Sequence, residues 1–103
     1  MVYRVVITEA AWSDIFEIGR LIKSDNPSRA DTFVEELYHR CNSLGDFPES
    51  YVLIADARSR GIRRVIHGNY LIFFRITDII VEVLHVLHGA RDYEHLLFPD
   101  DER

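Results

Sequence analysis

A chain of 103 residues, 48% of them hydrophobic and 28% charged, can bury one core, so we expect a single domain over residues 1–103. This composition excludes a disordered or fibrous protein, and no run of about 18 apolar residues indicates a membrane span. The formal net charge of −5 opposes sequence-independent attraction to phosphate backbones, so we expect no nucleic-acid binding by the chain alone.

The first predicted elements are a short strand and a helix that follows it directly. Tyr3–Thr8 is rich in β-branched and aromatic residues, and Thr8 followed by an acidic residue is typical of a helix start. The apolar positions of this helix, which we expect to end near residue 24, share one face: Ala11, Ile15, Ile18 and Ile22. Trp12 and Phe16 widen this stripe, so they either pack under a second helix or form an exposed aromatic ledge for a partner.

A second helix is predicted at the Asn26-Pro27-Ser28 segment. Proline is tolerated in the first turn of a helix, and Ser28 with Asp31 imitates a capping box. Apolar residues at helical spacing continue to near Gly45: Ala30, Phe33, Val34, Leu37, Cys41 and Leu44. The two helices should therefore form an antiparallel hairpin.

Cys41 lies in the middle of the apolar stripe of the second helix. A reactive cysteine needs a partly exposed, electropositive setting, so we expect a buried and inert thiol here. Because it is the single cysteine, it cannot form an internal disulfide, and no secretory leader is visible. These features predict a cytoplasmic protein.

Beyond Pro48 the pattern changes from helical to strand-like. The predicted strands are Ile62–Ile66, Tyr70–Ile76 and Ile79–Leu87, with connections short enough for an antiparallel meander. The better core face of the third strand carries Ile79, Val81, Val83, His85 and Leu87. The sequence thus predicts an α+β fold, in which an N-terminal strand and a C-terminal three-stranded meander form a mainly antiparallel sheet with the helix hairpin on one face.

Positive charge in this chain is almost entirely arginine, with eleven arginines and one lysine. Arg58, Arg60, Arg63 and Arg64 fall within seven residues, and the planar guanidinium suits bidentate recognition of carboxylate or phosphate. The alternative interpretation is a solvated strand end. Arg75 lies within an apolar strand, and since an unpaired charge in the core is costly, we expect it on the open face of the sheet, our candidate binding surface.

The histidines and glycines indicate neither a metal nor a cofactor. His85 and His88 are three residues apart on a predicted strand and so point to opposite faces, and no HExxH or CxxC spacing occurs. The glycines are dispersed, and they form neither a phosphate-binding loop nor a GxSxG elbow. We therefore expect no metal site and no cofactor.

Several short segments, taken in order and with their spacing, carry a family resemblance. They are Tyr3-Arg4-Val5, Thr8-Glu9-Ala10-Ala11 with Asp14-Ile15, Asn26-Pro27-Ser28-Arg29-Ala30 with Phe33 and Leu37, Leu44 with Phe47-Pro48, Gly61-Ile62-Arg63, Tyr70-Leu71-Ile72-Phe73-Phe74-Arg75-Ile76, and Val86-Leu87-His88-Gly89-Ala90-Arg91-Asp92. Over nearly its whole length the chain resembles the ParE/RelE toxin superfamily, and it is most similar to the ParE branch.

This resemblance implies a toxin that is encoded beside an antitoxin, usually ParD-like, whose C-terminal segment wraps the toxin and neutralises it. In the best-known ParE members the target is DNA gyrase. An arginine cluster together with a wide apolar helix face is compatible with an acidic, amphipathic antitoxin segment, bound by helix-in-groove packing or by strand addition. The residues themselves carry no information about gyrase.

A ribosome-dependent ribonuclease of the RelE-like branch, which cleaves messenger RNA, is the alternative. Arg91 matches an arginine of those enzymes, but Leu97 stands where they carry a catalytic tyrosine, and the lysines of their loop before the meander are missing. Tyr93 and His95 could substitute if the end of the chain folded back over the sheet. We therefore expect a non-catalytic inhibitor; a binding module that has lost its toxicity is a third interpretation.

Arg91 itself is as consistent with a structural staple beside Asp92 as with a functional contact. No residue is assigned a catalytic role. The candidates for binding the antitoxin or the target are Trp12, Phe16, Arg58, Arg60, Arg63, Arg64, Arg75 and Arg91.

Overall fold

Two helices form one layer and five strands form the other, in the residues 3–55, 60–90 and 93–98 that the computed structural model describes. The elements in chain order are β1 Arg4–Ile7, α1 Glu9–Lys23, α2 Pro27–Ser43, β2 Val52–Leu53, β3 Arg63–His67, β4 Tyr70–Thr77, β5 Ile80–His88 and α3 Glu94–Leu97. The sheet order is β1-β5-β4-β3-β2, with β1 parallel to β5 and all other pairs antiparallel. The predicted α+β fold is confirmed.

Side-chain caps fix where the two helices begin. The Thr8 hydroxyl accepts a hydrogen bond from the Ala11 N–H at 3.2 Å, as predicted for α1. For α2 the cap is Asn26, whose side-chain oxygen accepts from the Arg29 N–H at 3.2 Å. The prediction of Ser28 as the cap was wrong, because Pro27 already occupies the first helical position and the cap must precede it.

The main core lies between the helix hairpin and the sheet. It contains Ala11, Ile15, Ile18, Phe33, Leu37, Cys41, Leu44, Val65, Ile72, Phe74, Val81, Val83 and Val86. The helices approach closely at Gly19, where a Cβ atom would lie 2.8 Å from Cγ2 of Val34. Cys41 is fully buried, as predicted, and burial raises the pKa of its thiol to about 11. None of the described helices is long and apolar enough to cross a membrane.

A β-bulge changes which residues of β5 face the core. Phe73 pairs with His85 and Phe74 with Val83, so Leu84 is the extra residue on β5. After the bulge the alternation of faces reverses: Val86 joins the main core, and Leu87 belongs to a second cluster on the other face. The prediction that placed Leu87 with Val81 and Val83 was therefore wrong, since it assumed unbroken alternation.

The second face of the sheet has its own, smaller apolar cluster. Its fully buried members are Ile62, Phe73 and Leu87, and the C-terminal segment packs on them through Tyr93, Leu97 and Phe98. The ring centroids of Tyr93 and Phe73 are 5.0 Å apart. We expected this face to be open; its centre is covered, because the end of the chain folds back over the sheet.

Candidate partner-binding surfaces

Three aromatic rings form a stack on the outer side of the helix hairpin. Trp12 lies between Phe16 and Tyr38, with ring centroids 5.6 Å and 5.7 Å apart and planes inclined by 20° and 24°. Trp12 is half-buried against the main core, whereas Phe16 is 63% exposed and Tyr38 42% exposed. Trp12 thus packs against the second helix, while Phe16 projects into solvent. We call these three residues the aromatic ledge.

A second group of exposed apolar side chains lies at the outer edge of the sheet. Val52 and Ile66 are 61% and 63% exposed, and Leu53 is 50% exposed. Val52 pairs with Arg64 across β2 and β3, so their side chains lie on the same side of the sheet, as does that of Ile66. We call Val52, Arg64 and Ile66 the β2 edge surface, whereas Leu53 pairs with Arg63 and so points to the other side of the sheet. The sequence did not predict β2, because a strand of two residues has no readable period.

Two adjacent arginines of β3 point to opposite sides of the sheet. Arg63 faces the helix side, where its guanidinium donates to the carbonyl of Tyr51 at 2.7 Å and to that of Glu49 at 3.2 Å. These bonds hold a 3₁₀ turn at Pro48–Ser50 against the sheet. Arg64, on the side away from the helices, is half-buried and belongs to the β2 edge surface.

Two of the other predicted arginines lie within the described residues. Arg60 is exposed in the approach to β3. Arg75 lies on the second face, and its guanidinium is 3.5 Å from a carboxylate oxygen of Glu82. Arg58 and Arg91 lie outside the described residues.

The sequence analysis missed a contact that ties α1 to the part of β5 that extends beyond its pairing with β1. One carboxylate oxygen of Asp14 accepts from the Val86 N–H at 3.0 Å and lies 2.8 Å from Nδ1 of His85. Val86 follows the point where β1 stops pairing, since the last pair is Ile7 with Val83. In the sequence, Asp14 is separated from His85 by 71 positions and from Val86 by 72, so no local pattern predicts this contact.

This contact borders a groove on the second face that we call the His85 groove. Its lining includes Thr8, Arg75, His85 and Leu97. A carboxylate that orients an imidazole leaves the other ring nitrogen able to accept a proton, and a guanidinium can stabilise negative charge. Leu97 contributes only apolar surface at this place. Among the described residues, no group of three histidine, cysteine or acidic side chains could hold a metal ion.

Comparison with known proteins identifies a family and several solved structures with a similar fold. Residues 5–93 match the model of the ParE toxin of the type II toxin-antitoxin system parDE. The chromosomal ParDE system of P. aeruginosa superposes with a TM-score of 0.74 at 14% identity, over 84% of this chain and 96% of that chain. The RelBE2 toxin-antitoxin complex of Mycobacterium tuberculosis superposes with a TM-score of 0.59 at 22% identity, over 85% of this chain and 99% of that chain. At these identities the structures share the fold; no curated protein matches the sequence.

Proposed function

Because the chain belongs to the ParE toxin family of type II toxin-antitoxin systems, we propose that it is a toxin neutralised by a ParD-like antitoxin. Its proposed target is DNA gyrase, which it inhibits by binding and without catalysis of its own. The family match supports the toxin and the antitoxin; gyrase is the target that the resemblance to the best-known ParE members implies.

The β2 edge surface carries the antitoxin part of this proposal. An exposed strand edge beside large apolar side chains is a liability in a protein that works alone, and a partner that adds a strand removes it. Val52 and Ile66 would pack against apolar side chains of such a strand, while Arg64 would bind a carboxylate. The fitting partner is therefore an acidic, amphipathic segment.

Growth of the host tests toxicity and neutralisation together. Expression of the chain alone should stop growth, and co-expression of the protein encoded immediately upstream should restore it. A matched pair of variants separates binding from expression level: Ile66→Asp on the β2 edge surface should abolish rescue by the upstream protein, whereas Ile79→Asp, at an exposed turn position, should not. Normal growth during expression of the wild-type chain would remove the toxin proposal.

Purified components test the target. The chain should inhibit supercoiling by DNA gyrase, or trap gyrase on cleaved DNA, and added antitoxin should reverse the effect. Gyrase activity that is unaffected by an excess of the chain would contradict the gyrase proposal while leaving the antitoxin proposal intact.

A second candidate function, messenger RNA cleavage on the ribosome, is favoured by the His85 groove. Asp14 orients His85, and Arg75 lines the same groove. Against it, Leu97 lines the groove where the RelE-like enzymes carry their tyrosine. Codon-dependent cleavage on translating ribosomes that disappears in His85→Gln, but persists in His88→Gln, would establish this function instead.

A further inference from the structure

We propose that the aromatic ledge binds a second segment of the antitoxin, one whose charge is opposite to that of the segment on the β2 edge surface. The segment pairs an apolar side chain, which packs beside Phe16, with an arginine or lysine that approaches two carboxylates next to Trp12 and Tyr38. This inference rests on the proposed function, since it names the chemistry of the antitoxin that binds there.

The carboxylates belong to Asp31 and Glu35 of α2. Both are exposed, and together with Trp12 and Tyr38 they line a shallow groove between the helices. Neither has a cationic partner within the described parts of the chain. The ledge therefore presents apolar rings beside two negative charges, the combination that a basic amphipathic segment matches.

Two arginines of the same two helices are engaged elsewhere. Arg29 of α2 donates to Glu36 at 2.9 Å, on the neighbouring flank of that helix. Arg20 of α1 pairs with Glu17 at 2.6 Å, beyond Phe16. The negative charge of the groove is thus left for an incoming group to neutralise.

The same charge argues against other occupants. A second copy of this chain would bring another net charge of −5. Nucleic acid would bring phosphates, which the carboxylates repel. An uncharged apolar segment could pack on the rings, but it would leave the carboxylates without a partner and would bind without dependence on salt.

The geometry also sets the spacing within the antitoxin. The ledge lies on the helix layer and the β2 edge surface on the opposite face, and the molecule is 21 Å across its shortest axis. An extended chain spans about 3.3 Å per residue, so at least about six or seven residues must join the two segments. Two tethered contacts strengthen binding, because the first raises the effective concentration of the second.

Trp12 is the single tryptophan of the chain, so it reports directly on the ledge. The toxin labelled with 5-fluorotryptophan gives one fluorine resonance, which should shift when purified upstream protein is added. In the Asp31→Asn/Glu35→Gln variant, Kd should rise by about threefold to thirtyfold and depend less on salt. Phe16→Ala should raise Kd by about tenfold.

Matched controls and distinct outcomes separate this inference from the proposed function. Asp25→Asn/Asp78→Asn removes the same charge at other exposed sites, and Leu21→Ala truncates another exposed side chain of α1. Both should leave Kd within about twofold. If a tight complex forms but the resonance and the ledge variants are unaffected, the inference is overturned and the proposed function stands. If no complex forms, the proposed function falls and the inference with it.

Discussion

The two faces of the sheet are covered by different elements and to different extents. On the helix face, α1 and α2 cover a continuous core that extends from Ala11 to Val86. On the second face, three buried residues and the short C-terminal segment cover only the centre, and Val52 and Ile66 stay exposed at the edge. The larger core thus lies on the first face, and the outer part of the second face stays exposed.

Two adjacent phenylalanines provide the sharpest test of this difference. Phe74 and Phe73 are both fully buried, but Phe74 lies in the main core and Phe73 in the second cluster. Phe74→Ala should reduce the free energy of unfolding by about 4–5 kcal/mol, and Phe73→Ala by about 3 kcal/mol or less, since the C-terminal segment can move into the space. Urea denaturation measures both, and an equal or larger loss for Phe73→Ala would contradict the ranking.

Asp14 joins the helix layer to the part of β5 that extends beyond its pairing with β1. Asp14→Ala should reduce the free energy of unfolding by about 1–3 kcal/mol, because the Val86 N–H loses its acceptor and His85 loses its partner. Asp14→Asn keeps one oxygen acceptor and should lose less. The exposed Asp25→Asn serves as the control for charge. Equal stability of Asp14→Ala and wild type would show that the contact is not a structural link.

Because of Cys41, the free energy of unfolding should change with pH in the alkaline range. A thiol whose pKa is higher in the folded chain favours folding fully below the unfolded pKa, and this contribution is lost as pH rises toward the folded pKa of about 11. The stability advantage of wild type over Cys41→Ala should therefore shrink, by about 1–2 kcal/mol, between pH 9 and 11. Urea denaturation across this range measures it, and a constant difference would contradict the burial of the thiol.

The neighbouring arginines of β3 should separate folding from binding. Arg63→Ala removes two hydrogen bonds to the carbonyls of Glu49 and Tyr51 and should reduce the free energy of unfolding by about 1 kcal/mol. Arg64→Ala should leave stability within about 0.5 kcal/mol and should weaken binding of the antitoxin. Denaturation and calorimetric titration measure the two effects, and a stability loss that is larger for Arg64→Ala would reverse the assignment.

The order and type of the main elements could be predicted from the sequence, because each has a clear period and end signals. Structural details that depend on a single residue could not be predicted in this way. Leu84 is an ordinary apolar strand residue, so nothing in the sequence marks it as the bulge residue that turns Leu87 to the other face. The pair of Asp14 and His85 forms only through tertiary packing.

The candidate surfaces were predicted only in part, because they too depend on packing between distant elements. Helical periodicity identified Trp12 and Phe16 as a widened stripe, but it could not identify Tyr38 of the second helix as the third ring of the ledge. The arginine cluster was visible as composition, whereas its division into Arg63 and Arg64 on opposite sides depends on the register of β3. Local patterns thus fix the elements, and packing between distant elements fixes the surfaces.

The most direct test of the account measures both stability and antitoxin binding for one side chain of the β2 edge surface. Ile66→Ala should leave the free energy of unfolding within about 0.5 kcal/mol and raise Kd for the antitoxin by about tenfold. The same substitution at Ile79, which is 50% exposed at a turn, should change neither. A tight wild-type complex whose Kd is unchanged by Ile66→Ala would contradict the claim that this edge is the antitoxin site.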